Sequence, residues 1–140
     1  MKRAAVISCI SILSVFAAAC GPVTLDLPDE IGADFDLDSF MAEIRDCDKL
    51  RDTFVSVVTE AADQVDRLAE ASGGRIDPPA LREKIEAIAV GDFFSIAEKI
   101  GCQRLQMQID TADRLRGVDP DTDAGQDLVD AILDQIGQQG

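Results

Sequence analysis

Five aspartates near the C-terminal end of the chain are the residues whose spacing is best suited to chemistry. Asp119, Asp121, Asp123, Asp127 and Asp130 occupy the first, third, fifth, ninth and twelfth positions of a twelve-residue window. Carboxylate oxygens at these offsets can surround a Ca²⁺ ion, because calcium binds several oxygen ligands in a flexible geometry. The spacing therefore raises calcium binding as a hypothesis for this window.

The window 119–130 resembles an EF-hand calcium loop and departs from that motif at three positions. Ala124 stands where the loop has glycine, Gln126 where it has an apolar residue, and Asp130 where it has a bidentate glutamate. The alternative is a Pro-Asp turn followed by a helix, in which Asp123 is the N-cap and Gln126 completes a capping box. We expect the chain to need no cofactor, and Ca²⁺ at this window stays a second hypothesis.

Other catalytic residue types are scarce in this chain. It contains no His, which removes His-dependent catalytic triads and His metal ligands. Lys49, Lys84 and Lys99 lie among acidic residues, an arrangement that favours ordinary pairing on helix surfaces. We therefore expect a protein that is not an enzyme.

The charge balance limits the possible partners. The 140 residues include 13 Lys and Arg against 27 Asp and Glu, a formal net charge of −14. Such a chain repels nucleic acid and anionic lipid headgroups. Because 46% of the residues are hydrophobic, one compact domain can form, and the acidity does not indicate disorder.

The first twenty residues have the pattern of an export signal. Lys2 and Arg3 precede an apolar run, and three alanines lead to Cys20. Residues 1–21 resemble the lipobox-type signal peptide of bacterial lipoproteins. The resemblance implies cleavage before Cys20, a lipid on its sulfur, and anchoring of the exported chain to a membrane. Gly21, rather than Asp, follows the cysteine, which resembles the pattern of lipoproteins sorted to the outer membrane in a diderm host. In any other host, we expect the protein on the outer face of the plasma membrane. The alternative is an ordinary secretory signal with a coincidental cysteine.

The remaining cysteines favour an oxidising compartment. Cys9 leaves with the signal and Cys20 takes the lipid, so Cys47 and Cys102 remain to form one disulfide. The alternative is a redox-active pair, although the chain has no CxxC motif that would lower a thiol pKa.

Hydrophobic periodicity predicts an all-α fold. We expect a signal peptide over 1–19, an acidic flexible tether over 20–37 and a helical bundle over 38–137. The bundle is predicted as a long αα-hairpin, whose second arm is interrupted near Gly91, with a C-terminal helix packed across it. Cys47 and Cys102 lie at matching heights in this hairpin, which suits a disulfide. The predicted helices cover residues 39–72, 78–90, 92–116 and 123–136, and the third carries Leu105 and Ile109 on its apolar stripe.

Two adjacent phenylalanines allow two interpretations. Phe93 and Phe94 cannot both face one narrow stripe, so either one is exposed for partner binding or each packs against a different neighbouring helix.

The sequence as a whole favours a lipid-anchored envelope protein that acts as a non-enzymatic interaction or scaffold module, with a protein partner. One alternative is a lipoprotein that binds a cation or small ligand at 119–130 or in a bundle pocket. Another is a surface-displayed host-interaction factor.

Overall fold

The computed structural model describes residues 26–139, so the predicted signal peptide and Cys20 lie outside the described residues. All regular secondary structure within this range is helical, which confirms the all-α prediction. The helices are α1 (Leu37–Met41), α2 (Cys47–Ala71), α3 (Pro78–Ile88), α4 (Val90–Lys99), α5 (Arg104–Arg116) and α6 (Asp123–Gly137). None of them combines the length and the apolar character that a membrane crossing requires.

The long helix α2 is shorter than predicted because two aspartates cap two separate helices. Asp36 accepts hydrogen bonds from the backbone N–H groups of Asp38 and Ser39 and begins α1, and Asp46 accepts one from Lys49 N and begins α2. The prediction of one continuous helix from residue 39 is therefore wrong at its start. The predicted end is confirmed, since Gly73 and Gly74 have positive φ of 76° and 92° directly after the helix.

The second arm contains one predicted and one unpredicted interruption. The break near Gly91 is confirmed and centres on Ala89, whose φ of 49° is left-handed. The predicted continuous helix over 92–116 is wrong, because Gly101 adopts a φ of 89° and separates α4 from α5. A left-handed residue ends the hydrogen-bond ladder, so the helical register restarts at Arg104.

The helices α2 and α6 form the centre of the bundle, and each of them contacts α3, α4 and α5. The largest buried side chains include Leu50 and Phe54 of α2 and Leu128 and Ile132 of α6. The apolar face predicted for the last helix is thus largely confirmed as core. The short helix α1 packs against α4 on the outside of this centre.

The segment 29–37, which we call the strap, lies against the bundle. The side chains of Ile31 and Leu37 are 0% and 1% exposed, respectively. Removing these two apolar side chains from water holds the segment down, whereas the sequence predicted a flexible tether over 20–37. Within the predicted tether, Ile31 and Leu37 are therefore part of the hydrophobic core.

Candidate functional site

The cysteine pair is joined as predicted. Cys47 is the first residue of α2, Cys102 lies in the turn between α4 and α5, and their Cα atoms are 5.8 Å apart across the disulfide. The bridge closes a stretch of 55 residues that contains α2, α3 and α4. It ties the start of the central helix to the turn that Gly101 creates.

Phe93 and Phe94 are both in the core, so the interpretation of either as an exposed docking residue is wrong. The ring of Phe93 stacks on Phe54 of α2 with 4.1 Å between centroids, and Phe94 meets Phe93 edge-on at 4.9 Å. The guanidinium of Arg104 on α5 lies 5.6 Å from the Phe94 centroid. The two rings thus face two different helices, as the second interpretation predicted.

The acidic window 119–130 does not form an EF-hand loop. Helix α6 begins at Asp123, which places Asp123, Asp127 and Asp130 along one helix while Asp119 and Asp121 lie in the preceding loop. Within residues 26–139, no three Asp, Glu or Cys side chains converge in a way that would hold a metal ion. The predicted geometry of calcium ligands is therefore not formed.

The predicted capping pattern at the start of α6 is also wrong. The N-cap is Thr122, whose hydroxyl accepts a hydrogen bond from Gly125 N at 3.1 Å. The Gln126 side chain donates to Asp130 Oδ1 at 2.8 Å, along the helix and away from the cap. Threonine and aspartate are both common N-cap residues whose side-chain oxygen accepts from a free helix N–H, so residue type alone did not distinguish Thr122 from Asp123.

A carboxylate from α2 holds the loop before α6. Asp66 Oδ2 accepts a hydrogen bond from Asp121 N at 2.7 Å, and Oδ1 accepts from Thr122 N at 3.1 Å and from Thr122 Oγ1 at 2.6 Å. Asp66 is only 4% exposed. A Cβ on Gly125 would overlap Asp66 Oδ1, so glycine is needed for this approach. The sequence offered no signal for these hydrogen bonds, because Asp66 is separated from Asp121 by 55 positions and from Thr122 by 56.

Negative charge is concentrated around Asp63, one helical turn before Asp66. Partial desolvation raises the pKa of Asp63, and the carboxylates of Glu60, Asp66 and Asp121 raise it further, while the Arg67 guanidinium opposes them. Protonation of Asp63 is therefore easier in the folded protein than in the unfolded chain.

A second polar cluster joins the strap to the bundle. Gln64 Oε1 accepts a hydrogen bond from Ile31 N at 2.8 Å, and Gln64 Nε2 donates to Asp29 O at 3.2 Å. Lys84 Nζ on α3 donates to Ile31 O at 2.8 Å and to Gln64 Oε1 at 3.2 Å. The side-chain amide of Gln64 therefore pairs with main-chain groups of the strap, as the backbone of a neighbouring strand would. Lys84 links the two, because it donates to both the strap and Gln64.

The sequence suggested that Lys84 lies on a helix surface among acidic residues, and this expectation is wrong. It is 5% exposed, and the ion pairs formed within residues 26–139 do not include it. A cleft of about 340 Å³ opens beside it. The residues that line this cleft are Asp29, Glu30, Gln64, Arg67, Leu68 and Lys84.

An apolar pair on α5 is exposed where the sequence predicted core. Leu105 and Ile109 are 67% and 47% exposed, although they continue the stripe that passes through Ala97 of α4. The break at Gly101 rotates α5 relative to α4, so that Met107 and the following turns face the interior instead. The pair is thus a consequence of the unpredicted turn.

No protein-family model, curated protein or solved structure matches this chain.

Proposed function

We propose that this chain is an exported bacterial lipoprotein, anchored by lipid on Cys20, whose helical bundle is a non-enzymatic interaction module of the cell envelope. The observation that carries the proposal is the Cys47–Cys102 bridge. Structural disulfides persist in oxidising compartments and are rare in the cytosol, so a bridged domain behind a lipobox-like sequence supports export. The absence of His from the sequence supports a role other than catalysis.

The strap determines how far the bundle stands from the lipid. Among residues 26–139, Asp29 is the first whose main chain is bound to the bundle by Gln64, nine positions after Cys20. A fully extended chain of that length spans about 30 Å. The module therefore works within about 30 Å of its anchor, which is about half the reach of a tether that continues to residue 37.

The acidity of the chain suits a module that stands off the bilayer. Cleavage before Cys20 would remove Lys2 and Arg3 and no acidic residue, so the mature chain would be more negative than −14. Such a surface repels anionic headgroups, while two or three acyl chains hold the protein firmly to the membrane. We therefore expect a partner whose surface tolerates or complements negative charge. The proposed location is the outer membrane of a diderm host or the outer face of the plasma membrane.

Anchoring is tested by metabolic labelling of the full chain with radioactive palmitate in a bacterial host. We expect the label on the wild-type chain and on the matched control Cys9→Ser, because Cys9 lies inside the predicted signal. The Cys20→Ser variant should carry no label. Equal labelling of Cys20→Ser would contradict the proposal.

The interaction role is tested by crosslinking in intact cells. The control is an unrelated domain of similar size that carries residues 1–28 of this chain, so that anchor and linker are matched. We expect at least one protein to be enriched roughly tenfold with the helical bundle over this control. If no protein is enriched, the bundle is not an interaction module even when Cys20 is lipidated.

A further inference from the structure

We propose that the cleft beside Lys84 is a binding site for a small zwitterion, with free aliphatic α-amino acids as the ligand class. Lys84 is 5% exposed, and its ammonium group donates to two neutral oxygens, Ile31 O and Gln64 Oε1. An ammonium group has three N–H bonds, so these two contacts leave one for a further acceptor.

The charge of Lys84 is poorly compensated within the described part of the chain. Ion pairs within 4 Å exist there for Arg51, Arg67, Arg104, Arg114 and Arg116, and none involves Lys84. A buried charge without an opposite charge is unfavourable, because neutral hydrogen-bond acceptors replace only part of its hydration. A ligand carboxylate in the adjoining cleft would supply both the missing acceptor and the missing charge.

The other walls of the cleft narrow the ligand class. Arg67, whose side chain is 62% exposed, adds a second cation, and Asp29 and Glu30 add two carboxylates from the strap. The two acids disfavour a dianion, and the two cations disfavour a simple amine. A molecule with one carboxylate and one ammonium matches both walls.

An apolar residue and the size of the cleft complete the match. Leu68 lines the cleft and is 45% exposed, which offers a surface for an aliphatic side chain. The volume of about 340 Å³ is at the small end of ligand pockets, so it suits a molecule the size of an amino acid. Because Asp29 and Glu30 belong to the strap, such a ligand would bind the strap and the bundle at once.

The inference is independent of lipidation and is tested by isothermal titration calorimetry on the full chain in detergent. The probes are L-leucine, leucinamide, which lacks the carboxylate, and 4-methylpentanoate, which lacks the ammonium. We expect L-leucine to bind with a millimolar Kd and each of the other two to bind at least tenfold more weakly. No heat with L-leucine up to about ten millimolar, or equal binding of the three probes, would overturn the proposal.

Two arginine variants separate a binding role from a structural one. Arg67→Gln removes a cleft cation whose hydrogen bond and ion pair within residues 26–139 go to Glu60 and not to the strap. We expect this variant to weaken L-leucine binding about tenfold with an unchanged melting temperature. Arg75→Gln, an exposed residue of the same charge outside the cleft, should leave Kd unchanged. Lys84→Met should abolish binding, with its fold checked by circular dichroism. Unchanged affinity in Arg67→Gln would overturn the assigned geometry even if Lys84→Met fails to fold.

Discussion

Replacement of Asp66 by asparagine is expected to destabilise the bundle by about 3 kcal/mol. Asparagine keeps one oxygen, which can still accept from Thr122 N and Oγ1 as Oδ1 of Asp66 does. Its NH₂ group would replace Oδ2 and face Asp121 N, so two donors would meet. The loss of a charge-assisted hydrogen bond costs about 1.5–3 kcal/mol, and the donor left without a partner adds about 1–3 kcal/mol.

Asp63→Asn is the matched control on the same helix, and we expect it not to destabilise the bundle. The pKa of Asp63 is raised, first by desolvation and then by neighbouring carboxylates, so the folded state binds its proton more tightly than the unfolded chain. The stability contributed by this group therefore increases as pH falls through the raised pKa. Removing the negative charge at pH 7 should leave the bundle equally stable or slightly more stable.

The assay is urea unfolding followed by far-UV circular dichroism at pH 7, on a soluble form that begins at residue 20 with Cys20→Ser. Equal m-values would show that the free energies of unfolding are comparable among the variants. A change below about 0.5 kcal/mol for Asp66→Asn, or the same change for both variants, would refute the role given to Asp66.

Three further perturbations probe the same framework. The double variant Cys47→Ala/Cys102→Ala should lose about 4 kcal/mol in urea unfolding, because the bridge closes 55 residues; a loss below about 1 kcal/mol would contradict it. Thr111→Val should gain about 1 kcal/mol, since the buried Thr111 hydroxyl has no hydrogen-bond partner in the described structure; destabilisation would show that it has one. Ile31→Ala should cost about 3 kcal/mol and expose the strap to protease, and a resistant strap would refute its anchoring by Ile31.

The parts of the fold that depend on local periodicity were predictable from the sequence. The stripe of α2 and the face of α6 each repeat over several turns, so their type and buried side follow from spacing. The turn at Gly101 was not predictable, because a single glycine within an apolar stripe can be either a tolerated residue inside a helix or the end of that helix. Its positive φ rotates α5, which is why Leu105 and Ile109 are exposed.

The candidate site was hidden because its contacts are long-range. Gln64 binds Ile31, 33 positions away, and Lys84 binds the same residue across 53 positions. No spacing rule connects such residues, and Ile31 stands alone between acidic and small residues without any period. The pairing of Cys47 with Cys102 was predictable despite a sequence separation of 55, because counting the cysteines left one combination.

Mass spectrometry of the N-terminal peptide of the protein isolated from bacterial membranes shows whether the chain is cleaved before Cys20 and carries lipid on that residue. We expect a mature chain that begins at Cys20, with a diacylglycerol thioether on its sulfur. A chain that begins at any other residue, or a Cys20 peptide of unmodified mass, would contradict it.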